Sequence, residues 1–394
     1  MWQETILQNL CEITSSKRIY AADYQSEGVP FFRGKEIIEK HNGNLGVSTE
    51  LFISEDKFLE IKRRFGAPQP GDLLLTSVGT LGVPYVVKPS EEFYFKDGNL
   101  TWFRYFKNLD SKYLYYWLLS PQGRAQLKKC TIGSSQPAFT IVLLKDMEIK
   151  LPPFAVQRRI TGSLSAYDDL IENNLRRIKI LEEMAQTLYR EWFVKFRFPG
   201  HQKVKMVNSP LGQIPEGWEI KRLDEVIELA YGKGLKEQER IPGDVPVFGS
   251  SGVVGYHNQS LVDGPGIIVG RKGNVGSVHW TDAAFFPIDT VFYVITELPL
   301  YYVYFNLRTQ NFISGDAAVP GLNRNQAYSL PFILPKPDLL RFFSQSVEPI
   351  FHLLNLLKRK NEVLRQTRDL LLPKLISGEL DVSELDITIP EAKA

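Results

Sequence analysis

Two cysteines in 394 residues, Cys11 and Cys130, are too few for a disulfide framework and fit a reducing cytoplasm. Five scattered histidines (His41, His201, His257, His279 and His352) show no zinc-ligand spacing with them. No apolar run approaches the roughly 20 residues that a membrane span needs. The opening MWQETILQNL has neither the basic nor the apolar stretch of a signal peptide, so a cytoplasmic protein without a membrane partner is expected. Charge of one sign is also missing. With 47 basic and 45 acidic residues the net charge is +2, so any nucleic-acid binding must rest on local patches. No Walker A sequence occurs, and the glycine-rich run from Gly249 to Gly255 has no following helix and reads as a turn. Glu60-Ile-Lys62, Glu148-Ile-Lys150 and Glu219-Ile-Lys221 are acidic–basic triplets at about the frequency chance supplies, and none follows a Pro-Asp. No catalytic constellation and no metal site emerge, and the chain reads as non-catalytic with no cofactor of its own.

What the chain does have is a long heptad frame. After Leu151-Pro-Pro-Phe154, whose prolines suit a helix start, Ile160, Leu164, Tyr167, Ile171, Asn174, Ile178, Leu181, Ala185, Leu188 and Trp192 recur in steps of four and three. That period of about 3.5 residues is a coiled-coil seam. Moving each position on by 183 gives Phe343, Val347, Ile350, Leu354, Leu357, Asn361, Leu364, Arg368, Leu371 and Leu375. The chain thus carries two long helices on one frame, each after a globular segment. The expected division is a globular segment over 1–150, a helix over 151–198, a linker over 199–217, a second globular segment over 218–335, a helix over 336–378, and a disordered polar tail over 379–394.

The globular segments also correspond. Trp218 echoes Trp2 at an offset of 216, and Gly273-Asn274-Val275-Gly276 echoes Gly79-Thr80-Leu81-Gly82 at 194. Tyr301-Tyr302 echoes Tyr115-Tyr116 at 186, and Pro335 echoes Pro152 at 183. A shrinking offset that becomes constant through the helix is the mark of a duplicated unit whose loops have changed length. Within the first segment, Gly71 to Ser77 and Val83 to Val87 read as strands around the glycine turn, Tyr113 to Leu119 as a helix, and Ile141 to Ile149 as a strand-like run. The fold class is therefore α/β (α+β), with two globular domains separated by a long antiparallel coiled coil of two helices and an internal pseudo-two-fold repeat.

Each segment carries a glycine turn and a polar loop that suit recognition of a duplex. In the first these are Ser77, Thr80, Ser134, Ser135, Gln136 and Thr140, and in the second Arg271, Lys272, Asn274, Asn323, Arg324, Asn325 and Gln326. Arginine pairs with guanine O6/N7 and asparagine or glutamine with adenine N6/N7, so this inventory fits major-groove readout. Lys62-Arg63-Arg64, Lys128-Lys129 and Arg176-Arg177-Lys179 are candidates for phosphate contact.

In the run Leu151 to Ile160 (LPPFAVQRRI), in Ala185-Gln186 through Trp192-Phe193, in Ile214-Pro-Glu-Gly-Trp218 and in Leu371 to Gly378 (LLPKLISG), the chain resembles the specificity subunits of type I restriction-modification systems. The resemblance implies two target-recognition domains that each read one half of a split site on double-stranded DNA. It also implies partners: two modification (methyltransferase) subunits that bind S-adenosylmethionine, and restriction subunits that use ATP and Mg for translocation and cleavage. A helix of roughly 40 residues is about 60 Å long, a ruler for half-sites that lie about 34 Å apart for each turn of DNA. Two other readings are a coiled-coil scaffold without a DNA role and a self-contained DNA methyltransferase. Leu151 counts against the second, because it cannot make the hydrogen bond of the polar first residue in the Asn-Pro-Pro-Tyr/Phe motif.

Three expectations concern the helices. Asn174 and Asn361 should be buried polar positions that fix register, so that leucine at both raises stability and loosens specificity. Pro349, inside the second frame, should kink the helix or start a new one. A fragment ending near residue 205 should pair its exposed seam with a second copy and read a palindrome.

Overall fold

The heptad stretches are helical. In the computed structural model, which describes residues 2–44, 47, 49–133, 137–312 and 321–385, the long helices run over Phe154–Tyr189 and Pro337–Ser377. The first ends in a short π-helical turn, Arg190–Val194. Pro349 lies on the exposed side of the second, which neither stops nor restarts there. A proline ring removes one backbone hydrogen bond, and on the solvent side water can satisfy the carbonyl left behind.

The chain divides into two units, Met1–Arg176 with Arg359–Ala394, and Arg177–Lys358. In the first, a four-stranded antiparallel sheet has the order Glu12–Thr14, Leu100–Arg104, Leu73–Thr76, Pro84–Val86. Beside it, Val29–Phe32 pairs antiparallel with Phe52–Ile53 and parallel with Tyr94–Phe95. Gln3–Ile6 pairs with Glu148–Leu151, the strand that leads into the first long helix.

The second unit repeats these three sheets in the same strand order. Its four-stranded sheet runs Glu228–Tyr231, Val291–Ile295, Gly266–Gly270, Val278–Thr281. Val245–Gly249 pairs antiparallel with Gly252–His257 and parallel with Phe286–Pro287, and Glu219–Arg222 pairs with Pro331–Leu334 before the second long helix. Helices Ser111–Leu119 and Leu300–Thr309 occupy equivalent places. The change in offset has a visible cause. Unit 1 inserts helix Gly34–His41 where unit 2 turns directly from Gly249 to Gly252, and helix Glu55–Phe65 before Leu73–Thr76, where unit 2 passes from Gly252–His257 to Gly266–Gly270 without a helix.

Each unit fills its core partly from both long helices. In unit 1, Ile160 and Leu164 lie with Leu372, Leu375 and Ile376 against Leu7, Leu114 and Trp117. In unit 2, Ala185, Tyr189, Trp192 and Phe193 lie with Phe343 and Val347 against Tyr302, Phe305 and Phe332. Burying these large apolar side chains gains about 1.5–3 kcal/mol each against leaving them in water. Along the seam, Ile160, Leu164, Ile171, Asn174, Ile178, Trp192, Phe343, Val347, Leu354, Leu357 and Asn361 are buried. Tyr167, Leu181, Leu188, Ile350, Leu364 and Leu371 are half-buried.

Contacts inside each unit give the helices an antiparallel register. Asn174 hydrogen-bonds Asn361 and Asp168 pairs with Arg368 in unit 1, while Glu182 pairs with Lys358 and Trp192 meets Phe343 edge-on in unit 2. The Tyr116 hydroxyl donates to Asp168 from the other side at 2.5 Å. Burial and that carboxylate push the Tyr116 phenol well above the ordinary tyrosine range, so it stays a donor.

Three segments differ from expectation. Ile141–Lys145 is a short helix, because Thr140 caps it by accepting from the Leu143 amide, and only Glu148–Leu151 is strand. The segment expected as a bare linker forms a hairpin, Met206–Ser209 with Gly212–Pro215, which buries Ile214. The tail packs as far as it is described. Val382 is buried in the unit 1 core, and Arg159 donates to the Ser383 carbonyl.

Candidate nucleic-acid interface

Two loops distant in sequence meet in unit 2. The strand Gly266–Gly270 ends in a turn where Gly273 and Gly276 take φ of +79° and +75°, a conformation that side chains rarely adopt. Gly79 and Gly82 hold the equivalent turn in unit 1 at +78° and +77°. A Cβ on Gly276 would fall 2.7 Å from that of Phe312. Gly276→Ala is therefore expected to distort the turn and cost about 1–2 kcal/mol from the left-handed backbone alone, as read by urea denaturation.

Next to the turn, the Leu322 amide donates to the Arg271 carbonyl at 2.8 Å, and Lys272 bridges to Gly321. This fixes the start of the short helix Arg324–Tyr328, whose cap is Asn323, accepting from the Asn325 and Gln326 amides. Arg271 and Arg324 thereby converge on one ring. Their guanidinium carbons lie 5.3 and 4.9 Å from the centroid of Tyr231, which is 52% exposed. Arg324 also lies 5.7 Å from the Tyr328 ring. Arg271 is held further by two hydrogen bonds to the Asp289 carbonyl, at 3.1 and 2.6 Å. The side chains of Lys272, Asn274, Arg324 and Gln326 make no hydrogen bond or ion pair with other described residues, and Lys272 and Asn274 are exposed. Asn274 is fixed through its backbone, whose amide donates to Ser250 Oγ at 3.3 Å. Asn323 has a structural role as the cap.

Tyr231 is the residue that pattern reading misses. It lies at the end of the strand Glu228–Tyr231, and its register opposite Phe292 brings it under both arginines. Nothing local in the sequence distinguishes it from other exposed tyrosines.

Unit 1 builds the same frame with different side chains. The Phe139 amide donates to the Ser77 carbonyl at 3.0 Å, and Val78 bridges to Ala138. Ser77 is a correction to the expected readers: it is 2% exposed, and its hydroxyl bonds Thr101 Oγ1 at 2.7 Å and the Leu75 carbonyl at 3.2 Å. Thr140 is engaged as a helix cap, and Thr80 is exposed at the turn. Ser134, Ser135 and Gln136 lie outside the described residues. Where unit 2 presents Arg324 and Asn325, unit 1 presents Ile141 and Val142, the latter 68% exposed. Of the basic runs, Lys62 pairs with Glu92, Arg64 with Glu60 and Arg176 with Glu172.

No group of three or more metal-ligating side chains occurs among the described residues, and no helix is long and apolar enough to cross a membrane. Comparison with known proteins places this geometry. The family described as the type I restriction modification DNA specificity domain matches residues 1–183 and 215–367, once for each repeat. The MjaIX specificity subunit of Methanocaldococcus jannaschii is 27% identical over 350 residues, which is 80% of this chain and 79% of that one. The HindI specificity subunit of Haemophilus influenzae is 22% identical over 327 residues, 62% of this chain and 71% of its own length. A crystal structure of the type I restriction-modification S subunit from M. genitalium has the same fold, with a TM-score of 0.59 at 18% identity over 95% of this chain and 96% of that one. The chain belongs to the type I restriction modification DNA specificity family and is a non-catalytic specificity subunit.

Proposed function

We propose that each unit reads one half of a bipartite, asymmetric site on double-stranded DNA, and that unit 2 does so with Arg271, Lys272, Asn274, Arg324 and Gln326. The observation that carries this reading is the convergence of two guanidiniums on Tyr231, of which Arg324 makes no hydrogen bond or ion pair with other described residues. Stacking on an aromatic ring holds a planar guanidinium while leaving its edge available for a base. In unit 1 the turn at Thr80 holds the corresponding place, while Gln136, expected as a reader, lies outside the described residues. The apolar Val142 there suits contact with a thymine methyl. Divergent side chains on one repeated frame would let the two half-sites differ.

The long helices would dock two modification subunits, which bring S-adenosylmethionine, and restriction subunits, which bring ATP and Mg, in a cytoplasmic complex. The test is binding by the complex with its modification subunits to duplexes carrying single base changes. Tyr231→Ala, which removes the ring that both guanidiniums share, is expected to weaken binding to the specific site by about 1 kcal/mol while leaving the salt slope unchanged. Equal weakening on unrelated duplex would remove Tyr231 from readout.

A further inference from the structure

One layer of the helix seam is built so that the repeat cannot duplicate it. Asn174 and Asn361 are 3% and 2% exposed, and the Asn174 amide donates to the Asn361 carbonyl oxygen at 2.8 Å. The Asn361 amide in turn donates to the backbone carbonyl of Ile171 at 3.5 Å. One heptad step away, in the other unit, Ile178 packs with Leu357. The repeat offset of 183 makes Leu357 the counterpart of Asn174, and Asn361 the counterpart of Ile178. Amide therefore meets amide, and aliphatic meets aliphatic, only when the first helix pairs with the second. A first helix paired in the same register with the first helix of another copy would set Asn174 against Ile178, twice. A second helix paired with itself would set Asn361 against Leu357, twice.

We infer that the Asn174–Asn361 layer is a discriminator that selects a first helix paired with a second and rejects like-with-like pairing between copies. A buried amide facing an aliphatic side chain loses its water without gaining a partner, and that penalty falls on the like-with-like form alone. A second layer acts in the same sense. Arg368 pairs with Asp168, but its counterpart on the first helix is Ala185, so self-pairing would remove the guanidinium from a carboxylate that Tyr116 also holds. A half-chain carrying only the first helix would meet both mismatches in a copy of itself, so the self-pairing expected of a fragment ending near residue 205 would carry this penalty. The inference needs only the repeat and the seam, and stands whether or not unit 2 reads bases as proposed above. Its consequence is that two unlike halves stay joined one of each kind.

The test uses the full chain, refolded from urea at tens of micromolar and examined by sedimentation velocity, with helicity checked by circular dichroism. Asn174→Leu with Asn361→Leu removes the discriminator, and the dimer fraction should rise about tenfold over wild type. Ile178→Asn with Asn361→Leu keeps two amides but moves one, so they match only across two first helices. In that variant the dimer should dominate. A helical Ile178→Asn/Asn361→Leu chain no more dimeric than wild type would overturn the inference. So would a rise confined to the double-leucine variant, which would reflect a stickier seam rather than matched amides.

Discussion

Replacing Phe343 by alanine is expected to remove roughly 3–5 kcal/mol from unit 2, the range for deleting a fully buried phenylalanine. Phe343 is 0% exposed, and its ring lies 4.9 Å from Phe193, 5.7 Å from Trp192, 6.1 Å from Phe305 and 6.2 Å from Tyr189. These neighbours come from the other long helix and from the helix Leu300–Thr309, so the cavity cannot close by moving one element. A core of interlocking rings relaxes less than one of flexible aliphatic chains, which places the loss in the upper part of the large-to-small series. Urea denaturation followed by tryptophan fluorescence reads the effect, because Trp192 borders the cavity. A loss below about 1 kcal/mol would mean that Phe343 is not the keystone that its contacts indicate.

Alanine in place of Arg324 is expected to cost about 1–3 kcal/mol on the specific duplex and to relax the preference at one base pair only. The reason lies in the frame. The guanidinium is placed by the Asn323 cap and by the rings of Tyr231 and Tyr328, and in the proposed reading its donors would make a bidentate contact with guanine. Lysine should not restore the preference, because a point charge lacks the planar fork. Fluorescence anisotropy of the assembled complex on single-base variants of the site distinguishes the outcomes. A uniform loss with a shallower salt slope would assign Arg324 to a phosphate instead.

The parts of this fold that are legible in the amino-acid sequence are those with a period. A seam of ten positions at steps of four and three survives in sequence because each position must face a partner, and the same constraint keeps the offset of 183 constant through both helices. The family motifs are legible for the same reason, lying where helix, strand and linker join. Short apolar runs are not. Ile141 to Leu144 could be strand or helix, and the Thr140 hydroxyl settles it by capping. Pro349 reads as a break only if its ring must enter a buried turn, whereas it lies on the exposed side. In the candidate interface, arginine and amide side chains after glycine turns are visible by type. Tyr231 is not, because its place under Arg271 and Arg324 depends on strand pairing with Phe292 and on the bridge from Lys272 to Gly321. Ser77 fails as a reader because polarity alone does not reveal that Thr101 takes its hydroxyl.

The most direct measurement is the methylated motif in DNA from cells that express this chain with its modification subunits, compared with cells expressing the Arg324→Ala chain. Two short blocks of specified bases separated by a fixed gap are expected for the wild type. The Arg324→Ala chain should yield the same motif with one base relaxed in one block and the other block intact. A single contiguous motif, or a two-block motif that Arg324→Ala leaves wholly unchanged, would contradict the account of two units that read separately.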